Sequence, residues 1–74
     1  MKGKYYVVVD NNKGIGDVSQ KFRTKEPAVK FARRYRRKTH SDDVVVVLFD
    51  PYAEQVGFYI VWRDGKSRRP EYWG

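Results

Sequence analysis

Residues 24–38 read TKEPAVKFARRYRRK, and this stretch decides the architecture because it carries the helical period of the chain. Thr24 offers a hydroxyl to a free backbone N–H, Glu26 puts an acid in the positive first turn, and Pro27 stands where a missing donor does no harm. Ala28, Phe31, Ala32 and Tyr35 fall at i, i+3, i+4 and i+7, a narrow apolar stripe suited to packing on a sheet. Lys30, Arg33, Arg34 and Arg37 repeat that spacing on the opposite side. The pattern predicts a helix to about Lys38, ended by Thr39-His40-Ser41-Asp42.

Strand patterns lie on both sides of this helix. Tyr5-Tyr6-Val7-Val8-Val9 is β-branched and aromatic throughout, which suits a pleated strand. Asn11 to Asp17 collects residues that tolerate positive φ and predicts a turn, with Val18, Gln20 and Phe22 returning as a short second strand. After the helix, Asp43 to Phe49 reads as a strand from the middle of a sheet. Asp50-Pro51 opens a turn, and Val56, Phe58, Ile60 and Trp62 then alternate with Gly57, Tyr59, Val61 and Arg63. Asp64-Gly65 is a type I′ hairpin signal that folds Lys66 to Tyr72 back as a last strand. The expected fold is α+β in the order β-(β)-α-β-β-β, one helix on one face of a mostly antiparallel sheet of 4–5 strands.

With 74 residues, the chain is expected to be one small domain, and a hydrophobic fraction of 41% is too high for a disordered tail. No cysteine is present, which excludes disulfides and thiolate metal sites. The longest apolar run, Val44 to Phe49, is far short of the roughly 20 residues of a membrane span. Without a secretory pattern at Met1 to Tyr5, a soluble cytoplasmic protein with no membrane partner is expected.

The net charge of +7 points to a polyanionic partner, and its distribution is uneven. Residues 25–38 hold seven cations against Glu26, whereas residues 39–62 hold no Lys or Arg and four acids. Four arginines in the five residues Arg33 to Arg37 repel one another, and only Glu26 offers a helical partner, to Lys30. Arginine in place of lysine favours forked bonds to phosphate or carboxylate. A second basic group, Arg63, Lys66, Arg68 and Arg69, surrounds the hairpin. Its neighbours Trp62, Tyr72 and Trp73 suit either stacking on bases or completion of the core.

Catalytic signals are weak. His40 is the only histidine and has no cysteine to share a metal, Asp42 and Asp43 are expected to point to opposite faces of a strand, and Lys13-Gly14-Ile15-Gly16 lacks the Walker pattern. No enzyme activity, metal or cofactor is therefore expected. Since one helix covers one face, the other face, assigned to Tyr6, Val8, Tyr59 and Val61, is expected to be an open apolar surface occupied by a partner or by a weak homodimer.

The order of a short aromatic strand, Phe22-Arg23-Thr24-Lys25-Glu26-Pro27-Ala28, a helix, a Val-rich strand and Gly57-Phe58-Tyr59-Ile60-Val61-Trp62-Arg63-Asp64-Gly65-Lys66 resembles small phage-encoded inhibitor proteins, including some anti-CRISPR proteins. That resemblance implies one helix on a β-meander and a cationic surface that occupies a nucleic-acid site; the arginine-rich helix departs from it. Two functions follow. The leading one is a binding module that holds DNA or RNA by its phosphates through Lys30, Arg33, Arg34, Arg37 and the hairpin cations. The alternative is a protein-binding inhibitor or adaptor that uses the open sheet face or the acidic 42–54 edge.

Overall fold

The computed structural model describes residues 3–13, 19–63 and 65–73. The β-branched runs pair as their composition requires: β1 (Tyr5–Asp10) lies antiparallel to β2 (Val44–Asp50), with Val7 opposite Val47 and Val8 opposite Val46. β3 (Gly57–Arg63) pairs with β2, and β4 (Lys66–Tyr72) pairs with β3, giving a four-stranded antiparallel sheet in the order β1-β2-β3-β4. Helix α1 (Lys25–Thr39) connects β1 to β2 and packs on both. The fold is thus α+β, with four strands among the described residues, the lower of the expected numbers. Of the anticipated second strand, Phe22 forms a single bridge to Tyr6, exchanging two N–H···O bonds of 2.7 Å, and Ser19 Oγ accepts the Val8 N–H at 2.9 Å. Val18 and the turn residues Gly14 to Asp17 lie outside the described residues.

α1 meets the sheet through its predicted stripe. Ala28 and Ala32 are fully buried and allow close approach, while Phe31 and Tyr35 pack against the same cluster, with Phe22 and Phe31 ring centroids 6.0 Å apart. Thr24 has the extended backbone of an N-cap, but its hydroxyl makes no capping hydrogen bond, contrary to the expectation. At the other end His40 takes the left-handed conformation (φ 57°) and donates its N–H to Arg36 O at 2.9 Å, closing the helix without a glycine.

Cross-strand partners share a face, so the register identifies which residues lie under α1. They are Val8, Val44, Val46 and Leu48, together with Tyr6, Val61 and Trp62. The expected open face is therefore misassigned. Tyr6, Val8 and Val61 lie beneath the helix, and Tyr59, opposite Leu48, is on that same side, donating its hydroxyl to Gln55 O. A β-bulge explains part of the error. Pairing jumps from Val46 with Trp62 to Val47 with Ile60, leaving Val61 without an opposite residue. Simple alternation puts Ile60 and Trp62 on one face; the extra residue sends Trp62 to the helix side and leaves Ile60 on the other.

The opposite face is not an open apolar surface either. Val7, Val9, Val45, Val47 and Ile60 form a second cluster that is closed from water within the single chain. The weak homodimer through Tyr6, Val8, Tyr59 and Val61 thus loses its structural basis.

One polar residue is built into this core. Asp10, 1% exposed, accepts bonds from Tyr35 Oη (2.8 Å), Ser41 Oγ (2.7 Å) and the Asn12 N–H (3.0 Å), tying the end of β1 to α1 and to the loop that follows it. Burial acts to raise its pKa, but the donors from Ser41, Tyr35 and Asn12, with the charge of Lys13, outweigh burial and hold the carboxyl below its ordinary value. Burial and the bond to Asp10 push the Tyr35 phenol up.

Candidate nucleic-acid interface

A helix turns about 100° per residue, so fixing Ala28 and Ala32 against the sheet fixes every other side chain of α1. Lys30, Arg33, Arg34 and Arg37 are all exposed, as their spacing predicts, and line one shallow depression together. Arg36 was not among the expected site residues. It is half-buried and turns toward the β3–β4 hairpin, where Arg33, Arg36 and Arg37 face Trp62 and Gly65 across a groove of about 270 Å³. Arg33 also borders a second depression, lined by Lys25, Glu26, Val29 and Ser67. Arg33 is thus shared by all three. The signal for Arg36 was its i+3 spacing from Arg33, which places both on the flank of the helix beside the hairpin.

The hairpin itself turns in two residues, since Arg63 pairs with Lys66. Gly65 has φ +77°, and a Cβ there would come within 3.5 Å of Arg36 Nη1. Asp64, the other half of the predicted turn signal, lies outside the described residues.

The second basic group does not join the helix cations as one surface. Arg63 sits opposite Val45, on the side of the sheet away from α1, and its Nη2 lies 3.3 Å from Asp43 Oδ1. Lys66, its cross-strand partner, is on that same side. Arg68 and Arg69 are exposed on a stretch of β4 where the register with β3 shifts. The helix stripe therefore forms the continuous cationic surface, and the hairpin cations flank it from other directions.

Among the described residues, the ion pairs are Lys4 with Asp50 at 3.5 Å and Arg63 with Asp43; neither involves α1. No carboxylate among those residues lies within ion-pair distance of Lys30, Arg33, Arg34, Arg36 or Arg37. Clustered exposed guanidinium groups without internal counterions repel one another, and an anion brought from outside relieves that repulsion.

The aromatic residues divide between the two roles open to them. Trp62 is 1% exposed and belongs to the core, so it offers no face to a base. Its indole Nε1 is buried with no acceptor among the described residues. Tyr72 and Trp73 are exposed but stand at the far end of β3, where Tyr72 pairs with Tyr59 and Trp73 N–H donates to Phe58 O at 2.7 Å. Tyr72 and Trp73 are consequently not interleaved with the helix arginines, whereas the half-buried Phe31 and Tyr35 line a shallow depression together with Arg34 and Lys38. His40 caps the helix through its backbone N–H, its side chain being exposed, and among the described residues no three His, Asp or Glu side chains converge on a metal position. No helix among those residues is long and apolar enough to cross a membrane.

Comparison with known protein families, with characterised proteins and with solved structures returns no match.

Proposed function

We propose that the protein is a non-enzymatic module that holds nucleic acid by its phosphate backbone, with Lys30, Arg33, Arg34 and Arg37 of α1 as the principal contacts. The observation that carries this is the concentration of cations on one exposed helix face, with no carboxylate among the described residues within ion-pair distance, in a segment, residues 25–38, that carries six net positive charges. Among the described residues the aromatics beside these cations, Phe31 and Tyr35, are half-buried and packed on the core, which favours phosphate contacts over base stacking, and so little sequence preference. Arg68 and Arg69 flank that surface; Lys66, on the side of the sheet away from α1, and Arg63, bound to Asp43, contribute least. Such a partner carries an intracellular location with it.

The test is a titration of generic duplex and single-stranded oligonucleotides at several salt concentrations. Three to six phosphate contacts give a log–log slope of roughly −3 to −5 on duplex, because each neutralised phosphate releases counterions. Absence of binding near 50 mM salt, or binding indifferent to salt, rejects the proposal.

A second role, a protein-binding inhibitor of the phage-encoded kind, is favoured by a different observation. Tyr52, Val56, Phe58, Tyr72 and Trp73 are all exposed around the β2–β3 turn and the strand ends beside it. Under this role a protein partner contacts the aromatic end in place of the expected sheet face, and substitutions there abolish activity while those on α1 do not.

A further inference from the structure

Toward its C-terminal half, the cationic stripe of α1 becomes a cluster. Arg33, Arg36 and Arg37 lie within two turns of helix and face one groove, whose opposite wall is Trp62 and Gly65. Arg36 is seated against the hairpin turn: Gly65 has no side chain, and the point where one would begin is 3.5 Å from Arg36 Nη1. The wall residue Trp62 carries a buried indole N–H with no acceptor among the described residues. Beyond Arg33 the neighbouring depression contains Glu26, so the anion-favouring surface on this flank is short.

A phosphodiester carries one negative charge, which one guanidinium fork neutralises. Three arginines lining one groove exceed that requirement. They match a phosphoryl group with about −1.5 to −2 charge and three acceptor oxygens, as in a phosphomonoester near neutral pH. The limit set by Glu26 also fits a single terminal group better than a continuing backbone.

We infer that the groove between α1 and the β3–β4 turn seats a terminal phosphoryl group, gripped by Arg33, Arg36 and Arg37. The group is either the end phosphate of a nucleic acid or a free pyrophosphate-type anion; the first source rests on the nucleic-acid role proposed above, and the second does not. In the first case α1 holds internal phosphates with Lys30 and Arg34 while the groove captures the strand end.

The experiment compares two duplexes that differ only in a 5′-phosphate or 5′-hydroxyl, and separately titrates inorganic pyrophosphate. Wild type, Arg36→Gln and Lys30→Gln are measured, with circular dichroism confirming that each variant is folded. The expected result is an advantage of about fivefold for the phosphorylated duplex, erased by Arg36→Gln, with Lys30→Gln weakening both duplexes alike. Equal binding of the two duplexes, with saturable pyrophosphate binding lost in Arg36→Gln, supports the seat and identifies a free anion as its occupant. If neither duplex binds but pyrophosphate does so through Arg36, the nucleic-acid role fails and the seat stands. Equal duplex binding or none, together with no Arg36-dependent pyrophosphate binding, overturns the inference. A 5′-phosphate advantage that survives both Arg36→Gln and the second groove variant Arg37→Gln overturns it as well.

Discussion

The two ends of β3 handle charge and aromatic surface in opposite ways. At the Arg63 end, Arg63 is bound to Asp43, but the helix residues Arg33, Arg34, Arg36 and Arg37 have no carboxylate among the described residues within ion-pair distance, and the large aromatic, Trp62, is buried beside them. At the Gly57 end, some 20 Å away along seven residues of strand, Lys4 is paired with Asp50 and Lys21 lies 4.7 Å over the Tyr5 ring. There the aromatics form an arrangement of their own. Tyr5 and Phe49 stack at 5.1 Å, Phe49 and Phe58 meet at 5.1 Å, and Tyr72 packs edge-on to Tyr59 at 5.5 Å. The Tyr72 ring lies so close over Gly57 that a Cβ there would stand 2.7 Å from it, so this end depends on glycine for close packing. Residue type alone does not identify a binding surface: the cations of one end are engaged within the chain, and the helix arginines of the other have no carboxylate among the described residues within ion-pair distance.

The sharpest way to break this contrast is through Trp62. As a core residue, its replacement by alanine costs about 3–5 kcal/mol in chemical denaturation, enough to unfold a domain of this size. A folded Trp62→Ala protein that had lost only binding would mean that the indole belongs to the interface.

Asp10 anchors the arginine end from within and gives the next largest effect. Asp10→Ala leaves the Tyr35, Ser41 and Asn12 donors without their acceptor and is expected to cost about 2–3 kcal/mol. Because the folded carboxyl titrates below its unfolded value of about 3.9, the unfolded state binds more protons between the two values. Its stabilisation is fully present above the unfolded value and is lost as pH falls through the folded one. Urea midpoints measured from pH 6 down to pH 2 therefore decline in the wild type, and Asp10→Asn flattens that decline. An unchanged acid limb in Asp10→Asn would remove Asp10 from this role.

Charge reversal on the exposed helix face separates binding from folding. Arg33→Glu with Arg37→Glu is expected to weaken oligonucleotide binding by at least about tenfold while stability moves by no more than about 0.5 kcal/mol. Anisotropy titration and denaturation on the same preparation check both halves. The smallest effect belongs to the opposite end: Tyr52, 75% exposed, is expected to tolerate Tyr52→Ser within about 0.5 kcal/mol and without change in oligonucleotide affinity. A loss of affinity there would join the two ends into one surface.

The element order was legible because each signal is local. Val44 to Val47 is buried on both faces as a continuous apolar run requires, and the Ala28 and Ala32 stripe identifies the side of α1 that packs. Face assignment was not legible, because a bulge at Val61 shifts the alternation of β3 by one residue and depends on pairing with β2. Asp10 was missed for a related reason. Its donors Tyr35 and Ser41 come from 25 and 31 residues away, and only the fold brings them together. The helix cations could be read in sequence, yet the convergence of Arg36 with Gly65 and Trp62 needed the position of the hairpin.

β4 has a consequence of a different kind. It is the outermost strand, exposed from Lys66 through Tyr72, whereas the outer side of β1 is occupied at Tyr6 and Val8 by Phe22 and Ser19. An uncovered edge is a template on which another chain can add a strand and begin to aggregate. Lys66, Arg68, Arg69 and Pro70 occupy that edge, and the three charges and the residue without a backbone N–H oppose such addition. The hairpin cations thereby act as gatekeepers of colloidal stability, a duty that they perform with no partner bound.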